Sequence, residues 1–199
     1  VSFIDPNADV YVKVISETSS GLEFQIHSPF GTADIKTALH GRFNAFNVTA
    51  AVVAVTGLGF PFTEVANAAS HLLPVDGRMQ EVKGGSDIRV VVDYAHTPDA
   101  LSSALSALKQ SCTGALWVVF GCGGDRDTGK RPEMGRIADS LADQLVVTND
   151  NPRSESPEMI AEDILVGITG SACHVELDRG AAIRHAVLNA RSGDTVLVA

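Results

Sequence analysis

The chain has 199 residues, of which 45% are hydrophobic and 20% charged, with a formal net charge of −9 at pH 7. That length bounds it to one large or two small domains, and the hydrophobic share predicts a packed core. The acidic balance argues against a nucleic-acid surface or an anionic membrane surface, while leaving room for local basic clusters that hold phosphate.

Residues 9 to 39 alternate apolar and polar, as in Val10-Tyr11-Val12-Lys13-Val14 and Leu22-Glu23-Phe24-Gln25-Ile26, with Ser19-Ser20-Gly21 as a turn between them. This is antiparallel hairpin material. Helical patterning starts near Asn44 and ends at Gly57 or Gly59; a second helix is expected from Phe62 to Leu73, closed by Pro74. Glu81 to Asp87 is polar and glycine-bearing, suited to a domain linker or a hairpin turn.

From Ile88 the texture becomes regular β-α alternation. Strand Ile88–Asp93 leads to a helix from Pro98 to about Ser111, with Thr97 as N-cap and Pro98 as its first residue. Strand Ala115–Phe120 leads through a glycine loop to a helix from about Pro132 to Ala142. Strand Leu145–Thr148 precedes a helix from Pro157 to about Ile168, and strand His174–Leu177 precedes one from Gly180 to Arg191. Thr195 to Ala199 closes the chain as a core strand. The alternation predicts an α/β fold, a mostly parallel sheet with helices on both faces. A buried strand is an odd natural terminus and Val1 is not an initiator methionine, so a fragment of a longer protein is expected.

Cys112, Cys122 and Cys173 lie far apart without a CxxC pair. A disulfide framework or zinc site is therefore not expected, and a reducing, cytoplasmic setting fits. No apolar run is long enough to span a bilayer and no signal peptide is visible, so no membrane insertion is expected.

Two segments attract chemistry. The loop Gly121-Cys122-Gly123-Gly124-Asp125-Arg126-Asp127-Thr128-Gly129-Lys130-Arg131-Pro132 imitates a P-loop from Gly124 to Lys130, but the eighth position must be Ser or Thr to ligate magnesium and is Arg131. The dinucleotide fingerprint fails as well, since its third glycine falls on Arg126. What remains is a charged loop at the carboxyl end of a strand, in which Lys130 and Arg131 read as solvated turn charges. Asp150-Asn151-Pro152-Arg153 follows the next strand, in the crevice where open α/β sheets bind ligands. The Arg153 guanidinium can grip a carboxylate bidentately, Asn151 can donate and accept, and Asp150 can orient the arginine or receive an ammonium. Alone, these are ordinary turn and capping residues. With Arg126 converging on Arg153 across the crevice, they suit a small ligand bearing two carboxylates.

Val92-Asp93-Tyr94-Ala95-His96-Thr97-Pro98-Asp99-Ala100, the glycine loop and Asp150–Arg153, in that order, closely resemble the Mur ligases, and within them the branch that adds meso-diaminopimelate. Gly41-Arg42-Phe43-Asn44-Ala45-Phe46-Asn47 and Gly77-Arg78-Met79 are similar to the same family's central domain. The resemblance covers nearly the whole chain. It implies that residues 1–78 are the latter part of a central ATPase domain and residues 84–199 a Rossmann-like domain that receives the amino acid. It further implies an ATP- and magnesium-dependent amide ligation in peptidoglycan precursor synthesis. The substrates would be a UDP-N-acetylmuramoyl dipeptide and meso-diaminopimelate, joined through an acyl phosphate by an enzyme that is monomeric when full length.

By the same resemblance Asn44 and Asn47 face adenine, Arg78 the phosphates and Asp93 the ribose, with Tyr94 and His96 as further candidates on the ATP side. Arg126, Asp150, Asn151, Pro152 and Arg153 would surround diaminopimelate, and relatives that add lysine lack the tetrad's arginine. Each has a plain structural reading too: Asn44 as a helix cap, Asn47 as a polar face residue, Arg78 as a surface charge, Asp93 as a strand end. His40 and His71 read as structural. The family's P-loop, its carbamylated lysine, its UDP-sugar domain and its Gly-Lys-Gly-His-Glu loop have no counterpart in this sequence. No catalytic or metal-ligating residue is therefore assigned, and the polypeptide is not expected to ligate alone. The rivals are another Mur ligase or a folylpolyglutamate synthase with a different amine, and a non-catalytic α/β domain that binds an amino acid or nucleotide.

Overall fold

A computed structural model describes residues 1–18, 21–82, 87–170 and 172–199, and the chain divides into two compact units, Val1–Val75 and Asp76–Ala199. The Ser19-Ser20 part of the expected first turn and residues 83–86 of the expected linker lie outside the described residues. The division falls a few residues before the expected boundary at 78, so Gly77-Arg78-Met79 belongs to the second unit.

In the first unit the alternating segments form three strands rather than one hairpin: β1 (Tyr11–Thr18), β2 (Gly21–Ser28) and β3 (Gly31–Thr37), paired antiparallel in that order. Their inward residues Val12, Leu22, Phe24, Ile26 and Ile35 pack with Val48 and Val52 of α1 (Arg42–Gly57) and with Ala66 and Ala69 of α2 (Phe62–Ala69). The period of two in the strands puts one apolar row on the helices. The second helix stops four residues short of Leu73. The N–H groups of Ser70, His71 and Leu72 each turn to the carbonyl three residues back, which tightens the end before Pro74.

The second unit holds β4 (Gln80–Val82), β5 (Arg89–Val92), α3 (Pro98–Ser111), β6 (Leu116–Phe120), α4 (Lys130–Leu141), β7 (Gln144–Val147), α5 (Pro157–Leu165), β8 (Cys173–Val175), α6 (Arg179–Asn189) and β9 (Thr195–Val198). The strand order is β4-β5-β9-β6-β7-β8, parallel throughout except for β4, which pairs antiparallel with β5. Three caps form from side chains: Thr97 accepts from Ala100 N–H, Ser156 from Met159 N–H and Asp178 from Ala181 N–H. Helix α5 ends at Leu165 rather than Ile168, because Gly167 and Ile168 also bond three residues back.

The central strands are buried on both faces, which is why they read as unbroken apolar runs. Val91, Leu116, Val118, Phe120, Leu145, Val147 and Leu197 face α3, α4 and α5, whereas Val119, Val146, Val196 and Val198 face Ala182 and Ala186 of α6. Three helices cover one face and one the other because the chain steps outward from β5 to β8 and returns once to place β9 in the middle. All the strand-to-helix loops therefore open at the same carboxyl edge.

Candidate functional site

At that edge of the second unit lies a cleft of about 610 Å³, lined in part by Asp93, Arg126, Lys130, Asp150, Arg153 and Arg179. Arg126 and Arg153 thus reach one cleft from two different loops, as expected if they converge on a ligand. Tyr94, His96 and Asn151 also line it. Four cations and two carboxylates in one concavity make an anion-favouring site that still has acceptors for an ammonium group.

The two loops fit together because glycine leaves room. A Cβ at Gly121 would overlap the Thr148 carbonyl oxygen, and one at Gly124 would overlap that of Pro152. With hydrogen there instead, Gly124 N–H donates to the Asn151 carbonyl at 3.1 Å, and Arg153 Nη1 donates to the Gly124 carbonyl at 2.6 Å. Asn151 and Arg153 sit at φ 48° and 52° on either side of Pro152, and Asp125 at φ 52°. Left-handed backbone at non-glycine residues is uncommon and persists where surrounding contacts impose it; such residues gather at ligand sites. Here the contacts are reciprocal. The Asp125 carboxylate accepts from Ser154 N–H and Oγ–H, and Asp125 N–H donates to Glu155 Oε1. The Ser154 hydrogen bonds, aided by Arg153 and Arg126, hold the Asp125 carboxyl below its usual range.

Two readings of the glycine loop are corrected. Arg131 is not a solvated turn charge: it is 1% exposed, and its guanidinium bonds Glu155 at 2.8 Å and Asp163 at 2.9 Å. The Glu155 hydrogen bond, and then that of Asp163, raise its pKa against the opposing effect of burial. Lys130 lines the cleft and donates to the His96 carbonyl at 2.9 Å. Helix α4 begins two residues earlier than expected, which turns both side chains inward from its first turn.

On the β5 side of the cleft, Met79 N–H donates to Asp93 Oδ2 at 2.8 Å. Burial pushes the Asp93 carboxyl up, against the pull of the Met79 and Ala95 N–H groups and of Arg78. The Arg78 guanidinium lies 4.7 Å from the centre of the Tyr94 ring, and the His96 and Tyr94 rings pack edge to face with their centres 4.8 Å apart. Tyr94 is 62% exposed and so offers its ring to solvent. Arg78 is not among the residues lining the cleft, but through the Tyr94 ring it adjoins Tyr94 and His96, which are.

Asn44 and Asn47 lie in the first unit, on α1. The Asn44 amide donates to the His40 carbonyl at 2.6 Å, and Asn47 is exposed beside it. The His71 ring rests on the Asn67 carbonyl, a local contact. Arg179 went unrecognised from the sequence, yet it lines the cleft from the start of α6, and its Nη1 is buried without a hydrogen-bond partner among the described residues. The signal was available: Asp178-Arg179 stands at a strand-to-helix junction, as the tetrad does.

Residues 77–199 match the family model described as Mur ligase, glutamate ligase domain. The chain is 48% identical over 193 residues to the UDP-N-acetylmuramoyl-L-alanyl-D-glutamate--2,6-diaminopimelate ligase of Chromobacterium violaceum, covering 96% of this chain and 39% of that protein. It is 45% identical over 203 residues to the ligase of the same name from Vibrio vulnificus, covering 100% and 41%. A solved structure of a ligase of that name superposes with a TM-score of 0.63 at 38% identity, covering 98% of this chain and 40% of that one. MurF from Acinetobacter baumannii shares the fold, with a TM-score of 0.76 at 20% identity over 98% of this chain and 42% of that one. The chain spans about two fifths of the length of the curated relatives it matches.

Proposed function

This chain belongs to the Mur ligases, and from that membership we propose that it forms the amino-acid-receiving part of a ligase that adds meso-diaminopimelate to UDP-N-acetylmuramoyl-L-alanyl-D-glutamate. The observation that carries the reading is the meeting of Arg126 and Arg153, from two separate loops, in one cleft that also holds Asp150 and Asn151. Diaminopimelate has an ammonium and a carboxylate at each end. Arg153 takes the far carboxylate, Asp150 and Asn151 take the neighbouring ammonium, and Arg126 takes the near carboxylate across the cleft. Pro152 holds the turn between the two left-handed residues. The amine beside the near carboxylate stays free to attack. Lysine lacks the far carboxylate and leaves Arg153 without a partner. The percentage identities to ligases named for 2,6-diaminopimelate support the same reading.

ATP fits the other end of the cleft. Asp93 uses one oxygen on Met79 N–H and retains acceptor capacity for ribose hydroxyls. Arg78 forms no ion pair within 4.0 Å among the described residues, so its charge is available to phosphate, and Tyr94 and His96 extend the surface beside it. Asn44 and Asn47 are assigned to adenine recognition by the family resemblance alone, residues 1 to about 78 then being the end of the ATP-binding domain. When bound, ATP supplies the phosphoryl group that makes the D-glutamyl carboxylate electrophilic. Magnesium takes one or two carboxylates together with phosphates; among the described residues no group of three or more His, Cys, Asp or Glu gathers to hold it. Among them, too, no helix is long and apolar enough to cross a membrane, and we place the reaction in the cytoplasm, with a monomeric enzyme.

Calorimetry on the full-length polypeptide carrying this sequence tests the reading. Meso-diaminopimelate is expected to bind roughly ten-fold or more tighter than lysine, the worth of one charge-assisted contact. Equal affinities would reject it.

A further inference from the structure

Arg126 and Arg153 stand on loops that leave different strands, and sheet pairing ends before either is reached. Their spacing is set instead by contacts between the loops. The one buried charge among those contacts is Arg131, which does not line the cleft. It stands in the first turn of α4, directly after the Arg126 loop. One Nη donates to Glu155, at the end of the Arg153 loop, and the other to Asp163, within α5. Glu155 Oε1 accepts at the same time from the Asp125 N–H, next to Arg126. A single carboxylate oxygen of the Arg153 loop therefore holds both the backbone of the Arg126 loop and the buried arginine at that loop's end.

Arg131 is buried, but 30% of the Glu155 and 48% of the Asp163 side chain is exposed; such an ion pair is a poor source of net stability, and its better-attested use is to fix register. The cost is visible here, because Arg131 Nε is buried with no hydrogen-bond partner among the described residues. The planar fork also fixes direction: two carboxylates bound by two nitrogens hold both α5 and its leading loop against α4. We propose that Arg131 and Glu155 are positioning residues that set the distance between Arg126 and Arg153, and so the length of the dicarboxylate amino acid the cleft accepts. The proposal rests on the diaminopimelate reading above. A ligand gripped at both ends is sensitive to that distance; one with a single carboxylate is not.

The test is steady-state kinetics on the full-length polypeptide carrying E155A, E155Q, E155D or R153A, with KM measured for diaminopimelate and ATP and thermal midpoints recorded alongside. E155A is expected to raise the KM for diaminopimelate about ten-fold, as small misplacements of binding groups do, with the KM for ATP changed less than about two-fold. E155Q keeps an oxygen for the Asp125 N–H and is expected to recover most of that loss. Should E155A fail to fold, E155D carries the test. It keeps the charge, shortens the arm by one methylene, and is expected to raise the diaminopimelate KM several-fold at an unchanged thermal midpoint. A lowered midpoint with both KM values unchanged, or changed equally, assigns Glu155 a merely structural role and overturns the proposal. R153A separates the two levels. If it leaves diaminopimelate unaffected, the substrate reading fails; if it weakens diaminopimelate while E155A and E155D do not, only the positioning role fails.

Discussion

Replacing Arg153 by alanine and, separately, by glycine isolates what its guanidinium does. In both variants the charge-assisted contact to the ligand's far carboxylate is lost, roughly 1.5 to 3 kcal/mol, or about ten-fold to a hundred-fold in affinity. Both also lose the Arg153 Nη1 bond to the Gly124 carbonyl, a neutral acceptor at the cleft rim contributing about 1 kcal/mol or less to stability. They differ in backbone. Arg153 sits at φ 52°, a conformation that disfavours any side chain with a Cβ by about 1 kcal/mol and suits glycine. Arg153→Gly should therefore be near neutral in stability, and Arg153→Ala about 1 kcal/mol below wild type. Calorimetry on the full-length polypeptide, paired with denaturant melts, should show both variants weakening diaminopimelate equally while ATP affinity changes less than about two-fold. If diaminopimelate affinity instead follows stability, with the glycine variant binding like wild type, the guanidinium does not read the ligand. Equal losses for ATP and diaminopimelate would refute the assignment in the same way.

Gly124→Ala places a Cβ on the Pro152 carbonyl oxygen, so the two loops must part; a loss of about 2 kcal/mol in stability is expected, together with loss of diaminopimelate binding, checked by thermal melts and calorimetry. Asp194, at the opposite edge of the sheet, is buried and accepts from Ala115 N–H, Arg191 N–H and the Trp117 indole. Burial pushes its carboxyl up, but these donors outweigh it and the net shift is downward. A lowered native pKa stabilises the fold above the ordinary carboxylate range, and that stabilisation is lost as pH falls through the native value. Asp194→Asn turns an amide NH₂ toward at least one of the donors and should lower stability by about 3 kcal/mol at pH 7. The gap from wild type should narrow toward pH 3; a gap independent of pH would contradict the ionised network.

Much of the second unit was legible because its signals are local. Thr97-Pro98 and Ser156-Pro157 mark helix starts through one hydroxyl and one locked φ each, and unbroken apolar runs such as Leu116–Phe120 announce strands covered on both faces. The loops at the carboxyl edge follow from the same alternation, which puts the tetrad and Arg126 at a crevice. Element ends were less legible, as at Leu73 and Ile168, because α-helical and tighter turns differ by one carbonyl and no side chain announces the change.

Solvation was decided in three dimensions. Lys130 and Arg131 are adjacent and equally charged in the sequence, yet one reaches the cleft and the other is sealed between Glu155 and Asp163. Those partners lie 24 and 32 residues away, and only the packing of α4 against α5 brings them together. Arg179 enters the cleft for a related reason: β8 runs parallel to β7 and so starts α6 at the same edge as the two loops, and β9, last in sequence but central in the sheet, ends there with the Ala199 carbonyl that accepts from Arg179. Residue type and spacing set what the chain can form locally. Which charges are buried, and which meet across a cleft, depends on strand order, and strand order is a property of the whole sheet.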